Sequence, residues 1–327
     1  MYKLNYPTAQ VIYGYDALEW LINIKEKKVA LVTTRSLLKS KILSEVLKLV
    51  SANVIEGPRQ HVPESDLNSL YEKLKGYETV IGLGGGSIID GIKLVTDAFY
   101  IAIPTTLSGA EHTRSGGYTV DGVKSSKLGK DADVIILDPR ATLETPKWLL
   151  VTSGVRSLDH AIEALYSTQS TPFTDTLAIE GYKKLINCLR NLESLEDRLN
   201  CQIGSWLSSI TMRYVKMGMS HMFGYVFGPR FNIPHGVTSC ISLPTAVKFN
   251  YEIAKHKLKE IEDGEPLYIS INNFLKEIGV RKRLSEFVPS LEDALKYAKV
   301  YSELVNNSGN PLKVDLKMAE DFIKEVY

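Results

Sequence analysis

The chain has little of what marks a nucleic-acid or membrane-surface binder. Its 327 residues carry 39 basic and 38 acidic side chains, a formal charge of +1, so bulk attraction to a polyanion is excluded and no nucleic-acid partner is expected. No run of about eighteen apolar residues occurs. The N-terminal "MYKLNYPTAQVIYG" has no basic stretch leading into an apolar one, so neither a membrane span nor a secretory leader is read. Cysteine is scarce: Cys188, Cys201 and Cys240 show no C-x-x-C spacing for a zinc knuckle or redox pair, and read as buried apolar side chains of a reducing compartment. The expected location is therefore cytoplasmic. Also missing are internal repeats, the G-x-G-x-x-G fingerprint and a Walker lysine with its following hydroxyl. With 44% apolar and 24% charged residues, what remains is a globular chain suited to a small-molecule ligand.

Length favours two domains. In the first half, "VALVTT", "TVIGLGGG", "YIAIPTT" and "ADVIILDP" read as strands. Between them lie the helical patterns "RSLLKSKILSEVLKLV", "ESDLNSLYEKLKGY" and "SIIDGIKLVTDAF". That alternation predicts a Rossmann-like α/β domain over residues 1–147, a mostly parallel sheet with helices on both faces. From about Trp148 the apolar spacing turns helical almost throughout, predicting an all-α domain over 148–327. A ligand site is expected in the cleft between the two.

"IGLGGGSIIDGIK" sets Gly84, Gly85, Gly86 and Ser87 between a buried strand and a helix start. There close backbone approach and exposed N–H groups suit a pyrophosphate. Asp90 and Lys93 follow on the helix, and "PTTLSGAEHT" after the next strand adds Thr105, Thr106 and Ser108 as hydrogen-bonding groups for a dinucleotide. At the end of "VALVTT" stand Thr34 and Arg35 in place of the acidic residue that commonly reads an unphosphorylated ribose, which leans the reading towards NADP(H) over NAD(H).

Of six histidines, His61, His112 and His256 have no partner at ligand spacing. His160 lies in "GVRSLDHAIEAL", four residues after Arg156, and His221 and His235 are fourteen residues apart in one segment. A lone histidine on an apolar face is usually structural; three grouped in one domain point to a shared site.

With "GGGSIID", "PTTLSGAEHT", "DHAIEALYS", "GMSH" and "FNIPHG" in this order, the chain resembles the iron-containing (group III) alcohol dehydrogenase superfamily. "QHVPES", "SGAEHT" and "DGVKSSK" are most like its maleylacetate reductase branch. The resemblance implies hydride transfer between a nicotinamide, NAD or NADP, and a small carbonyl or alcohol substrate, in a homodimer or larger assembly. It also implies one iron or zinc held by an aspartate and three histidines, whose positions match His160, His221 and His235. The aspartate position is Arg156. A guanidinium cannot be a ligand and sets a fixed positive charge where a dication would sit, so metal binding by the three histidines is weakened. Asp159 projects about 100° from His160 on a helix and does not replace the ligand; Glu163 reads as a partner behind one. Where the family often has a further histidine, four residues after His221, this chain has Tyr225, a proton donor or a packing residue. Maleylacetate reductases resemble the family with the aspartate altered and are regarded as metal-free, so Arg156 is expected to polarise the carbonyl or pair a substrate carboxylate. Two alternatives stay open: a metal-dependent alcohol or glycerol dehydrogenase using the three histidines, and a nucleotide-binding protein impaired in catalysis.

Overall fold

Strands buried on both faces read in sequence as unbroken apolar runs, and these form the centre of the sheet. In the computed structural model, which describes residues 7–120 and 123–327, there are eight strands among the described residues. They are β1 (Gln10–Tyr13), β2 (Val29–Thr33), β3 (Asn53–Glu56), β4 (Thr79–Gly84), β5 (Phe99–Pro104), β6 (Ser115–Val120), β7 (Val123–Leu128) and β8 (Val134–Leu137). Six of them make one sheet in the order β1-β8-β5-β4-β2-β3, all pairs parallel, and β6 and β7 make a separate antiparallel hairpin. The expected parallel α/β architecture is thus present, with additions the sequence reading lacked. β1 and β3 are edge strands of four residues with largely exposed side chains, too short and too wet to show as apolar runs. Asp121 and Gly122 of "DGVKSSK", and the first six residues of the N-terminal stretch, lie outside the described residues.

Helix α1 (Lys41–Leu49) covers one sheet face, setting Ile42, Leu43 and Val46 against Leu31, Ile81 and Ile103. On the other face are α2 (Glu64–Leu74) and α3 (Gly86–Val95). α3 seats on β4 because Gly82 has no side chain: a Cβ there would lie 2.6 Å from the Ile92 Cδ1. These elements belong to a first compact unit that runs to Leu150 and includes Leu192–Ile203. The later segment is held by Arg198, which donates to the Thr142 carbonyl at 2.8 Å, and by Gln202, which donates to that of Asp138 at 3.1 Å.

The second unit, Val151–Asn191 with Gly204–Tyr327, is helical. Its elements are α4 (Lys147–Tyr166, begun in the first unit), α5 (Pro172–Cys188), the end of α6 (Leu195–Ser209), α7 (Met219–Arg230), α8 (His235–Leu258), α9 (Leu267–Glu277), α10 (Leu291–Leu295), α11 (Ala298–Asn306) and α12 (Leu316–Val326). Phe223, Phe227, Ile241, Tyr301 and Phe322 centre its core. α8 runs through Pro244, which cannot donate a backbone bond to Cys240; the Arg281 guanidinium donates to the Cys240 and Ile241 carbonyls instead, at 2.9 and 3.0 Å.

The cysteine reading needs correction. Cys188 and Cys201 are disulfide-bonded, and only Cys240 is a free thiol, its pKa pushed up to about 12 by burial. Sequence spacing says nothing about this, because bridging depends on proximity in space. No helix among the described residues is long and apolar enough to cross a membrane.

Candidate active site

In the first unit, α3 opens at the glycine run. Gly85 is its N-cap, and the Ile88 and Ile89 N–H groups turn back to the Gly85 carbonyl, so the helix start presents the Gly86 and Ser87 amides. None of the three glycines has a left-handed φ; their need is space. A Cβ on Gly85 would stand 3.0 Å from Thr106 Cγ2, and one on Gly86 3.2 Å from Ser108 Oγ. Glycine run and hydroxyl loop therefore lie against each other, with Thr106 Oγ1 donating to Ser108 Oγ and the Thr105 amide to the Gly84 carbonyl. Thr34 stands half-buried at the end of β2 beside an exposed Arg35. This bare cradle at a helix start fits a dinucleotide pyrophosphate.

Lys93 and Asp90 depart from expectation. The Lys93 ammonium is 2% exposed and spends its donors on Asp90 Oδ1 (2.8 Å) and the Ala110 (2.9 Å) and Ser115 (2.8 Å) carbonyls, so it ties α3 to the hydroxyl loop and β6. Asp90 also accepts from the Gly117 amide. With three N–H groups engaged, Lys93 has none left for a ligand; the pair supports the cradle rather than lining it.

In the second unit, α4 is buried on every side from Val151 to Ser167, yet carries Arg156, Asp159, His160 and Glu163 inward. Buried charge must be paired, and here it is. Arg156 Nη1 lies 3.5 Å from Asp159 Oδ2 and donates to Ser239 Oγ at 3.1 Å. Asp159 Oδ2 also accepts from the hydroxyls of Ser220 and Ser239, each at 2.6 Å. Burial alone would raise the Asp159 carboxyl, but His221, Arg156 and Ser220 hold it below the usual carboxylate range. Glu163 accepts from the Gly218 (2.6 Å) and Ser220 (2.7 Å) amides, the Tyr166 hydroxyl (3.0 Å) and His221 Nδ1 (2.8 Å). That last bond fixes the His221 tautomer and leaves its Nε2, buried, with no hydrogen-bond partner; Arg156 Nε is likewise buried and unpartnered.

His160 joins this group, its ring centroid 4.9 Å from that of His221 and its Nδ1 2.9 Å from Ser209 Oγ. Burial first, then His221 and Arg156, push its pKa well below the usual imidazole value, so it is neutral at pH 7. His235, at the start of α8, is placed against Tyr225, the two rings 6.2 Å apart with planes 4° from parallel. Arg156 comes close to this pair through Gly224, where a Cβ would be 3.6 Å from Arg156 Nη1.

The residues do not fit a divalent metal. A buried cation, Arg156, stands in the cluster, and of the three groups whose atoms come within 4.8 Å of one another, Asp159, Glu163 and His221, Glu163 has spent both oxygens and Asp159 its Oδ2 on neighbouring donors. The serines that satisfy the cluster, Ser209, Ser220 and Ser239, escaped the sequence reading. So did Asp159 as the partner of Arg156, although the i, i+3 spacing places the two on one helix face.

Two family profiles cover the chain. "Iron-containing alcohol dehydrogenase" matches residues 7–139 and "Fe-containing alcohol dehydrogenase family, C-terminal" matches 150–327. The chain is 31% identical over 265 residues to a maleylacetate reductase of Pseudomonas knackmussii, covering 75% of this chain and 74% of that one. Among solved structures, its fold matches maleylacetate reductase from Agrobacterium tumefaciens with a TM-score of 0.88 at 23% identity, covering 98% and 96% of the two chains. It matches sulfoacetaldehyde reductase from Bifidobacterium kashiwanohense in complex with NAD+ with a TM-score of 0.90 at 18% identity, covering 100% and 99%. The chain therefore belongs to the iron-containing alcohol dehydrogenase family of oxidoreductases and stands near its maleylacetate reductase branch.

Proposed function

We propose that this protein is a nicotinamide-dependent reductase of a small, carboxylated carbonyl compound, working without a metal at Arg156. The observation that carries the proposal is the pair of unspent buried polar atoms, Arg156 Nε and His221 Nε2, in the cluster where the family resemblance puts a metal. A relative solved with NAD+ supports the choice of cofactor class. Gly84 to Ser87, Thr105, Thr106, Ser108 and Thr34 would hold it, and when bound it supplies the hydride.

What the chain's own residues do follows from their donors. Reduction of a carbonyl gathers negative charge on its oxygen, and so does reduction of a double bond conjugated to that carbonyl, as an enolate. A permanent guanidinium in this buried cluster stabilises that oxygen, and the unspent N–H groups of Arg156, on Nε and Nη2, are the ones available for it. His221, its Nδ1 bonded to Glu163, presents Nε2 to take up the proton in the alcohol-oxidation direction; in reduction the same atom returns it. His160, His235 and Tyr225 complete the set of proposed site side chains.

Arg156→Lys tests the reading, because it keeps the charge but removes Nε. Turnover of oxo acids should fall at least about tenfold, the loss of a transition-state hydrogen bond, while NADH and NADPH binding by fluorescence titration stays unchanged. Wild-type turnover in the variant would sink it. A homodimer or larger assembly, tested by sedimentation equilibrium, and a cytoplasmic location, where nicotinamide cofactors are available, belong to the same proposal.

A further inference from the structure

Arg156 does not hold its own place in the cluster. A long side chain that must present particular N–H groups needs its far end fixed, and that end is fixed through a single oxygen. Nη1 reaches Asp159 Oδ2 directly at 3.5 Å, and again through Ser239 Oγ, which accepts from Nη1 at 3.1 Å and donates to the same carboxylate oxygen at 2.6 Å. Ser220 Oγ donates to that oxygen too, at 2.6 Å. Helices α4, α7 and α8 thus meet at Asp159 Oδ2, which is fully buried. With the Nη1 end tied down, the guanidinium donors left over are on Nε and Nη2.

We infer that Asp159 is a positioning residue that acts through Arg156, fixing the guanidinium so that its unspent N–H groups are aimed at the substrate oxygen; this rests on the proposed function. The other Asp159 oxygen, Oδ1, lies 3.5 Å from His221 Nδ1, and the kinetic cycle below separates its action through Arg156 from any effect on His221. Asp159 supplies the negative charge that lets a guanidinium remain buried here, and the fixed acceptor that selects one rotamer of it. An amide at this position still accepts from a serine hydroxyl, but it brings no charge and turns an N–H₂ toward Arg156.

The test is a kinetic cycle of wild type, Asp159→Asn, Arg156→Lys and the double variant, read as kcat and KM for NADH against a panel of oxo acids, with circular dichroism to establish folding. Asp159→Asn should lower kcat roughly 10–100-fold, the usual cost of removing a group that orients a catalytic one, with KM for NADH moved less than twofold. In the Arg156→Lys background the same change should lower kcat less than twofold further, because the residue it acts through is already gone. Equal losses in both backgrounds, which a merely structural role produces, overturn the inference, as does an undiminished kcat in Asp159→Asn. If Asp159→Asn does not fold, Asp159→Glu takes its place in the same cycle and is read the same way. A wild type that turns over no oxo acid, or an Arg156→Lys variant as active as wild type, removes the proposed function and this inference with it.

Discussion

Replacing Arg156 by methionine should strand a buried carboxylate, and the size of the loss follows from the geometry. At the observed 3.5 Å separation and an effective dielectric of about 20, the attraction between Arg156 and Asp159 is about 5 kcal/mol. The variant need not lose all of it, because Asp159 can take up a proton; from an ordinary carboxyl pKa that costs about 4 kcal/mol at pH 7, which sets the ceiling. A loss of about 3–4 kcal/mol is therefore expected, in line with other buried pairs broken on one side. That corresponds to a melting temperature lower by on the order of 10 °C. Removing both partners, as Arg156→Met with Asp159→Leu, should return most of the stability, since neither charge is then left alone. A sign follows as well. In the single variant the folded-state carboxyl rises from its depressed wild-type position, so the deficit is largest at neutral pH and shrinks as pH falls through the unfolded carboxyl value. Thermal melts by circular dichroism at pH 5 and 7 check each point. A single variant that melts within about 2 °C of wild type, or a double variant no more stable than the single, would refute the reading of these two residues as a buried ion pair.

Three further outcomes are expected. His160 is buried and its folded pKa lies well below the unfolded imidazole value, so the unfolded chain binds the extra proton; stability is complete above about pH 6.5 and falls by up to about 1.4 kcal/mol per unit below it, a slope that urea melts should find reduced in His160→Gln. Gly84→Ala should weaken NADH binding by on the order of tenfold or more in a fluorescence titration, because its Cβ would meet Ile88 Cβ at 2.9 Å and displace the first turn of α3. Arg281→Met should cost about 1–3 kcal/mol in a urea melt by stripping the Cys240 carbonyl of the donor that answers Pro244.

The sheet centre was legible because parallel strands buried on both faces must be apolar at every position, as in "VALVT" and "VIIL". The edges were not, because β1 and β3 need only one partner each and tolerate exposed side chains. In α7 and α8 the interior prolines hide helices that tertiary packing and Arg281 sustain. Spacing could place Lys93 on the phosphate helix but could not reveal that its ammonium turns inward to Asp90 on the same helix and to two carbonyls of neighbouring segments. At the proposed site, order and residue type pointed to Arg156, His160 and His221, which the fold brings into one buried cluster. The role of Asp159 was hidden because its angle was measured from His160, whereas its partner is Arg156, three positions earlier and on the same face.

The charge arrangement on α4 explains why one substitution alone would make little sense. In the arrangement the resemblance implies, a carboxylate at position 156 would meet a dication. Here a cation stands at 156, a carboxylate stands three positions later, and serines from α6, α7 and α8 bond His160 Nδ1, Asp159 Oδ2 and Arg156 Nη1. The positive charge is part of the chain, so under the proposed function the site needs no metal to be loaded after folding. Arg156 next to the histidines would oppose an incoming dication, and the Glu163 carboxylate already accepts four donors. Turnover should therefore survive prolonged dialysis against a strong chelator and gain nothing from added iron or zinc. Elemental analysis should find well under one metal per chain. Stoichiometric metal whose removal abolishes activity would mean that the three histidines bind it in spite of the arginine, and the charge argument for this cluster would fail.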